Sequence, residues 1–102
     1  MYSARDRLEN QRWLDQIADA TETLGLGEKT RHTAEELFLT HLPDSNRSKP
    51  AVAAAALYAA TLIAGEERSQ RSVADAMDVT RLSVQSRWKP ILRDAGYDPP
   101  TW

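Results

Sequence analysis

The sequence predicts an all-α fold, a bundle built around one apolar helix, and three observations lead there. Apolar residues recur at helical spacing along the chain, and no window shows the strict alternation or β-branched enrichment of a strand. Between Ala51 and Ala64 only Tyr58 and Thr61 carry polar side-chain atoms, so this stretch is apolar on every side and needs neighbours all round. Two short segments after it, opened by Ser69 and Thr80, have the caps and spacing of a helix pair joined by a tight turn.

The first predicted helix, roughly Ala4–Leu24, places Leu8, Trp13, Ile17, Ala20 and Leu24 near one stripe, and Gly25-Leu26-Gly27 ends it. The second, roughly Glu28–Leu42, gathers Ala34, Leu37, Phe38 and His41 or Leu42 before Pro43 stops it. Residues 43–46 form a turn too short to link domains, so residues 1–102 are expected to form one domain. The third helix, roughly Lys49–Ala64, has Ser48 as its expected cap and Pro50 in its first turn, where a missing N–H costs little. It is expected at the centre, with Ala side chains that let its neighbours come close.

The fourth helix starts at Ser69 and carries Val73, Ala74 and Met77 inward. The turn Asp78-Val79 leads to Thr80, which can cap a fifth helix through Ser83. Asp78 stands where such turns adopt the left-handed region, which Asp tolerates better than a branched residue. On a wheel at 100° per residue, Val84, Trp88, Ile91 and Ala95 form the inner side of the fifth helix, with Leu92 nearby. Leu82, Ser86, Lys89 and Arg93 fall opposite, with Gln85 at the edge. Pro90 lacks the N–H that would bond the Ser86 carbonyl, so a kink is expected near Arg87–Lys89 and Gly96 ends the segment. The tail from Tyr97 to Trp102 has no period, and its aromatic residues are expected either to fold back or to fray.

The chain's net charge is -2, but the charge is unevenly placed. Residues 1–46 hold five Lys/Arg against nine Asp/Glu, which is -4, and residues 47–102 hold eight against six, which is +2. From Thr80 to Arg93 there are four basic residues and no acid, a composition suited to a phosphate backbone. No Cys is present, which excludes disulfide scaffolds and Cys-based zinc sites. The charged N-terminus lacks the apolar core of a signal peptide, and the run Ala51–Ala60 is too short to span a membrane. A soluble, cytoplasmic, nucleoid-associated protein is expected.

Enzymatic chemistry finds little support. His32 and Glu36 share a helical face, but two ligands without a third make a poor metal site, and His41 stands apart. There is no Gly-rich phosphate loop. No catalytic residue, metal or cofactor is expected.

A capped helix pair with a basic, acid-free second member has the spacing of a helix-turn-helix, here about residues 69–95. In that arrangement Leu82 is suited to a thymine methyl and Gln85 to a base edge, with Ser86 beside them.

The stretch RSKPAVAAAALYAATLIAGEERSQRSVADAMDVTRLSVQSRWK resembles one cyclin-like repeat of archaeal transcription factor B, the counterpart of eukaryotic transcription factor IIB. The likeness is closest to the second repeat and spans about residues 8–95. It implies a five-helix cyclin-like bundle with a central apolar third helix, and a C-terminal helix-turn-helix that reads double-stranded DNA. By position, the family's base-reading sites fall on Leu82 and Gln85. The family usually has Val and Arg there, so Gln85 implies a shift of preference from guanine towards adenine. Phosphate contacts fall on Arg81, Ser83, Arg87 and Lys89, with Gln70 and Arg71 at the start of the fourth helix. Without Cys and with room for one repeat, the chain is expected to act as a DNA-binding transcription regulator and not as a full initiation factor. The TATA-binding protein, other basal transcription proteins and a second copy of the chain are further candidate partners. A cyclin-like adaptor that binds protein and has no DNA affinity is the alternative, with the acidic first two helices as its surface.

Overall fold

The computed structural model describes residues 3–100, and every regular element among them is helical. The helices are α1 (Ala4–Glu9), α2 (Gln11–Thr23), α3 (Glu28–Thr40), α4 (Lys49–Ala64), α5 (Gln70–Ala76), α6 (Arg81–Gln85) and α7 (Trp88–Asp94), with a 3₁₀ turn at Asn46–Ser48. The expected bundle is therefore present, with the first and fifth predicted segments each divided in two.

The centre is α4. Every residue from Val52 to Thr61 is buried. Helix α3 packs along it most extensively, and α2, α5, α6 and α7 also touch it. Alanine makes this possible, because Ala53 to Ala56, Ala59 and Ala60 are fully buried and hold no neighbour off with a long side chain. The helix ends where Gly65 enters the left-handed region at φ 73°, so that the Glu66 N–H reaches the Thr61 carbonyl at 2.9 Å. Its start differs from the expectation for Ser48, whose helical backbone (φ -85°, ψ -12°) leaves no side-chain cap. The chain enters α4 through the 3₁₀ turn, and Ser45 supplies the cap by accepting from the Arg47 N–H at 3.2 Å.

The first segment breaks at Asn10. That side chain donates to the Asp6 carbonyl at 2.6 Å, and its backbone leaves helical geometry (φ -113°, ψ 17°). The break turns α1 away from the stripe of α2. Leu14, Ile17 and Ala20 are buried, Trp13 and Leu24 pack on the core from its edge, but Leu8 is 76% exposed, contrary to the single-helix expectation. Arg7 still ties α1 to the bundle: it meets Glu35 of α3 at 3.0 Å, and Arg31 meets the same buried carboxylate at 3.0 Å. A buried charge so paired avoids the cost of standing alone.

The loop after α4 fastens the turn between α2 and α3. Glu66 accepts from the Gly27 N–H at 3.0 Å and from the Thr30 hydroxyl, at the N-terminus of α3. Two residues on, Arg68 donates to the Leu24 carbonyl at 3.1 Å, at the C-terminus of α2. Each charge meets the helix end of opposite partial charge. These hydrogen bonds hold the Glu66 carboxyl below its ordinary range, the Thr30 hydroxyl being the larger cause and the Gly27 N–H the next.

No helix among the described residues is long and apolar enough to cross a membrane. In the tail, Tyr97 is 48% exposed, while Trp102 lies outside the described residues.

Candidate nucleic-acid interface

Helix α5 opens as its sequence suggests, with the Ser69 hydroxyl accepting from the Ser72 N–H at 3.0 Å. It ends in a left-handed residue, Asp78 at φ 56°, which lets the Val79 N–H reach back to the Ala74 carbonyl at 3.0 Å. Thr80 then caps α6 by accepting from the Ser83 N–H at 3.2 Å. The two helices are fixed to the bundle by Val73, Ala74, Met77 and Val84, each no more than 1% exposed. A further anchor comes from outside the unit: Gln16 of α2 donates to the Met77 carbonyl at 2.9 Å, in the turn itself.

With Val84 inside, the other side of α6 faces out. Leu82 is 71% exposed, and Arg81, Gln85, Ser86 and Arg87 are exposed beside it. Ser83 is half-buried and holds the Thr80 hydroxyl at 2.9 Å, and Ser86 donates to the Ser83 carbonyl at 3.3 Å. Leu82, Gln85 and Ser86 therefore share one exposed surface with Arg81 and Arg87 around them.

The break beyond this face is sharper than a kink. Helix α6 stops at Gln85, Arg87 leaves helical geometry (φ -123°, ψ -18°), and α7 starts afresh at Trp88. Pro90 thereby sits in the first turn of α7, where its missing N–H has no intrahelical acceptor to lose. Trp88 is 1% exposed and meets Tyr58 of α4 edge-to-face, with ring centroids 5.1 Å apart. Lys89 follows it round: it is half-buried, with Nζ 5.5 Å from the Trp88 ring. A wheel drawn through residues 80–95 as one helix therefore overstates how far Lys89 and Arg93 share the face of Leu82.

At the start of α5, Arg71 is exposed but Gln70 is half-buried. Gln70 lies against the Tyr58 hydroxyl, whose pKa burial pushes up and this contact partly restores. Its Oε1 is buried without a hydrogen-bond partner.

The cations differ in what they already bind. Arg5 pairs with Glu9, while Arg7 and Arg31 pair with Glu35. Among the described residues, none of Arg71, Arg81, Arg87, Lys89 and Arg93 is in an ion pair. These five can meet an anion without first giving up a carboxylate.

His32 and Glu36 do share a face, 3.8 Å apart. His41 is elsewhere, with Nδ1 2.8 Å from the Leu37 carbonyl and Nε2 3.3 Å from Asp94. No cluster of three metal-ligating side chains occurs among the described residues. The residue the sequence did not disclose is Gln16, because its partner is 61 positions away and no local pattern marks it.

The chain matches the family model described as the transcription factor TFIIB repeat over residues 8–94. It is 38% identical over 90 residues to transcription initiation factor IIB of Pyrococcus horikoshii, an overlap that covers 84% of this chain and 30% of that protein. With transcription initiation factor IIB 2 of Thermococcus kodakarensis it shares 33% identity over 91 residues, covering 86% and 29%. With transcription initiation factor IIB of Archaeoglobus fulgidus the identity is 42% over 65 residues, covering 64% and 19%. The chain thus spans less than a third of the length of these relatives. The relatives matched here are transcription initiation factors, and the family is not one of enzymes. A cyclin-like helical bundle, a turn held open by Asp78 and a match running from Leu8 to Asp94 lead to one conclusion: the chain belongs to the transcription factor TFIIB repeat family.

Proposed function

We propose that the chain, as one domain, is a sequence-specific DNA-binding transcription regulator that reads the major groove with α6. The observation that carries this reading is the outward face of that helix. There Leu82 and Gln85 stand exposed between Arg81 and Arg87, while Val84 holds the opposite side in the core. In this reading Leu82 meets a thymine methyl, Gln85 an adenine edge, and Ser86 an adjacent base or its sugar. Arg71, Arg81, Ser83, Arg87 and Lys89 bind phosphates and set the register. Gln70 does not belong with these residues, because its amide is turned to Tyr58.

A single short helix gives a small interface, so the site is read by two copies of the chain or with a protein partner. The relatives' role in initiation makes the TATA-binding protein, or another basal transcription protein, the partner proposed. Such binding places the chain in the cytoplasm with the nucleoid.

Selection of bound sequences from a random DNA pool, with affinity measured at several salt concentrations, tests this proposal. The expected result is an enriched site containing adenine at the Gln85 position and an affinity that falls steeply with salt. A chain with no DNA affinity at any salt would instead be the protein-binding adaptor.

A further inference from the structure

The ends of α4 and α7 leave an apolar groove that the DNA reading does not use. Its floor is Leu62 and Ile63 of the last turn of α4, with Leu92 of α7. The chain beyond α7 forms the other wall. Gly96 turns it at φ 93°, the Tyr97 N–H bonds the Leu92 carbonyl at 3.2 Å, and the run to Pro100 lies along the groove. Two consecutive prolines, Pro99 and Pro100, restrict the backbone at the end of that wall, and Pro100 lines the groove. Its volume is about 330 Å³, at the small end for ligand sites, and it offers room for a large side chain more readily than for a cofactor.

The rim has the opposite sign of charge to α6. Glu67 and Asp98 line it, both are exposed, and neither is in an ion pair among the described residues. Among the described residues no Lys or Arg lines the groove. Two free carboxylates repel a phosphate backbone, and they complement a cation placed beside an apolar anchor. Tyr97, half exposed on the wall, is one of three large hydrophobic residues that the described chain leaves exposed, and it suits such an anchor. We propose that this groove docks a short segment of a partner protein in which a large apolar residue is flanked by Lys or Arg. It shares no side chain with Leu82, Gln85 or their flanking cations, so the chain can hold DNA and a partner at once.

Panning a random linear-peptide display library against the intact chain tests the proposal. Enriched peptides are expected to pair Leu, Ile, Phe or Trp with a neighbouring Lys or Arg. A synthetic copy of the strongest peptide should lose about tenfold in affinity when Glu67→Lys and Asp98→Lys are combined, and again with Ile63→Glu. Glu67 and Asp98 are exposed, so the charge variant keeps its fold and its circular dichroism, and its DNA binding is unchanged or slightly stronger. The proposal is overturned by enrichment of no peptide, by enriched peptides without the apolar–cation pair, or by equal binding to the charge variant. Self-association of the chain through Tyr97, detected as a dimer that Ile63→Glu dissolves, would also overturn it by assigning the groove to a second copy.

Discussion

Gln16 of α2 holds the Met77 carbonyl at 2.9 Å, so the turn of the helix-turn-helix is fastened to a helix 61 residues upstream. The acceptor immediately precedes Asp78, the residue that bends the chain between α5 and α6. A hydrogen bond at this point is placed to help set the direction in which α6 leaves the bundle. Replacing Gln16 by Leu should cost about 1 kcal/mol, and so lower Tm by about 4–8 °C. If the bond aims α6, Gln16→Leu also weakens binding to the selected DNA site more than to random DNA. A lower Tm with unchanged discrimination would mean that the bond only stabilises the fold.

The centre of the bundle predicts its own sensitivity. Ala55 and Ala56 are both completely buried in the helix on which α3, α6 and α7 pack. Ala55→Leu or Ala56→Leu should destabilise by about 1–3 kcal/mol through overpacking, measured by thermal or urea unfolding. Stability equal to the parent's in both variants would place α4 away from the centre.

For the cations of α6 and its flanks, the expected signature is a salt slope. Arg81→Ala and Arg87→Ala should each weaken binding to all sequences about equally, and each should lower the slope by roughly one unit. Lys89→Ala should do less, because its ammonium lies over the Trp88 ring and is only partly available. The triple variant binding as tightly as the parent would leave this face as solvated surface.

Base reading has a different signature. Gln85→Ala should cost about 1–3 kcal/mol on the selected site and relax the choice at one base pair, with non-specific binding nearly unchanged. Leu82→Ala should act in the same way at a neighbouring pair. Profiles selected by parent and Gln85→Ala proteins make the comparison, with circular dichroism as the check on folding. Identical profiles remove Gln85 from the site.

Stability should also depend on pH through Glu66. Its carboxyl is held below the ordinary value of 4.5 by the Thr30 hydroxyl first and the Gly27 N–H second. A carboxyl lowered in the fold stabilises it fully above the unfolded value. That contribution is lost as pH falls from about 4.5 down through the folded value. Glu66→Gln should therefore melt below the parent near neutral pH, with the gap closing under acid conditions. A gap that stays constant down to acid pH would show that the ionised carboxylate is not what holds the turn.

The sequence by itself determined what local chemistry decides. Ser69 and Thr80 cap their helices because a hydroxyl reaches an N–H three residues on, and Asp78 takes the left-handed turn because few other residues tolerate it. The span of α4 and its central place follow from a run that is apolar on every side with Pro50 in its first turn, and the exposure of Leu82 opposite Val84 follows from helical periodicity. Tertiary structure decided the rest. The pairing of Arg7 with Glu35, the burial of Gln70 against Tyr58 and the bond from Gln16 to Met77 depend on how distant segments pack. A pattern of period 3.6 marks which side of a helix turns inward, but it carries no record of which remote carbonyl or carboxylate a side chain meets.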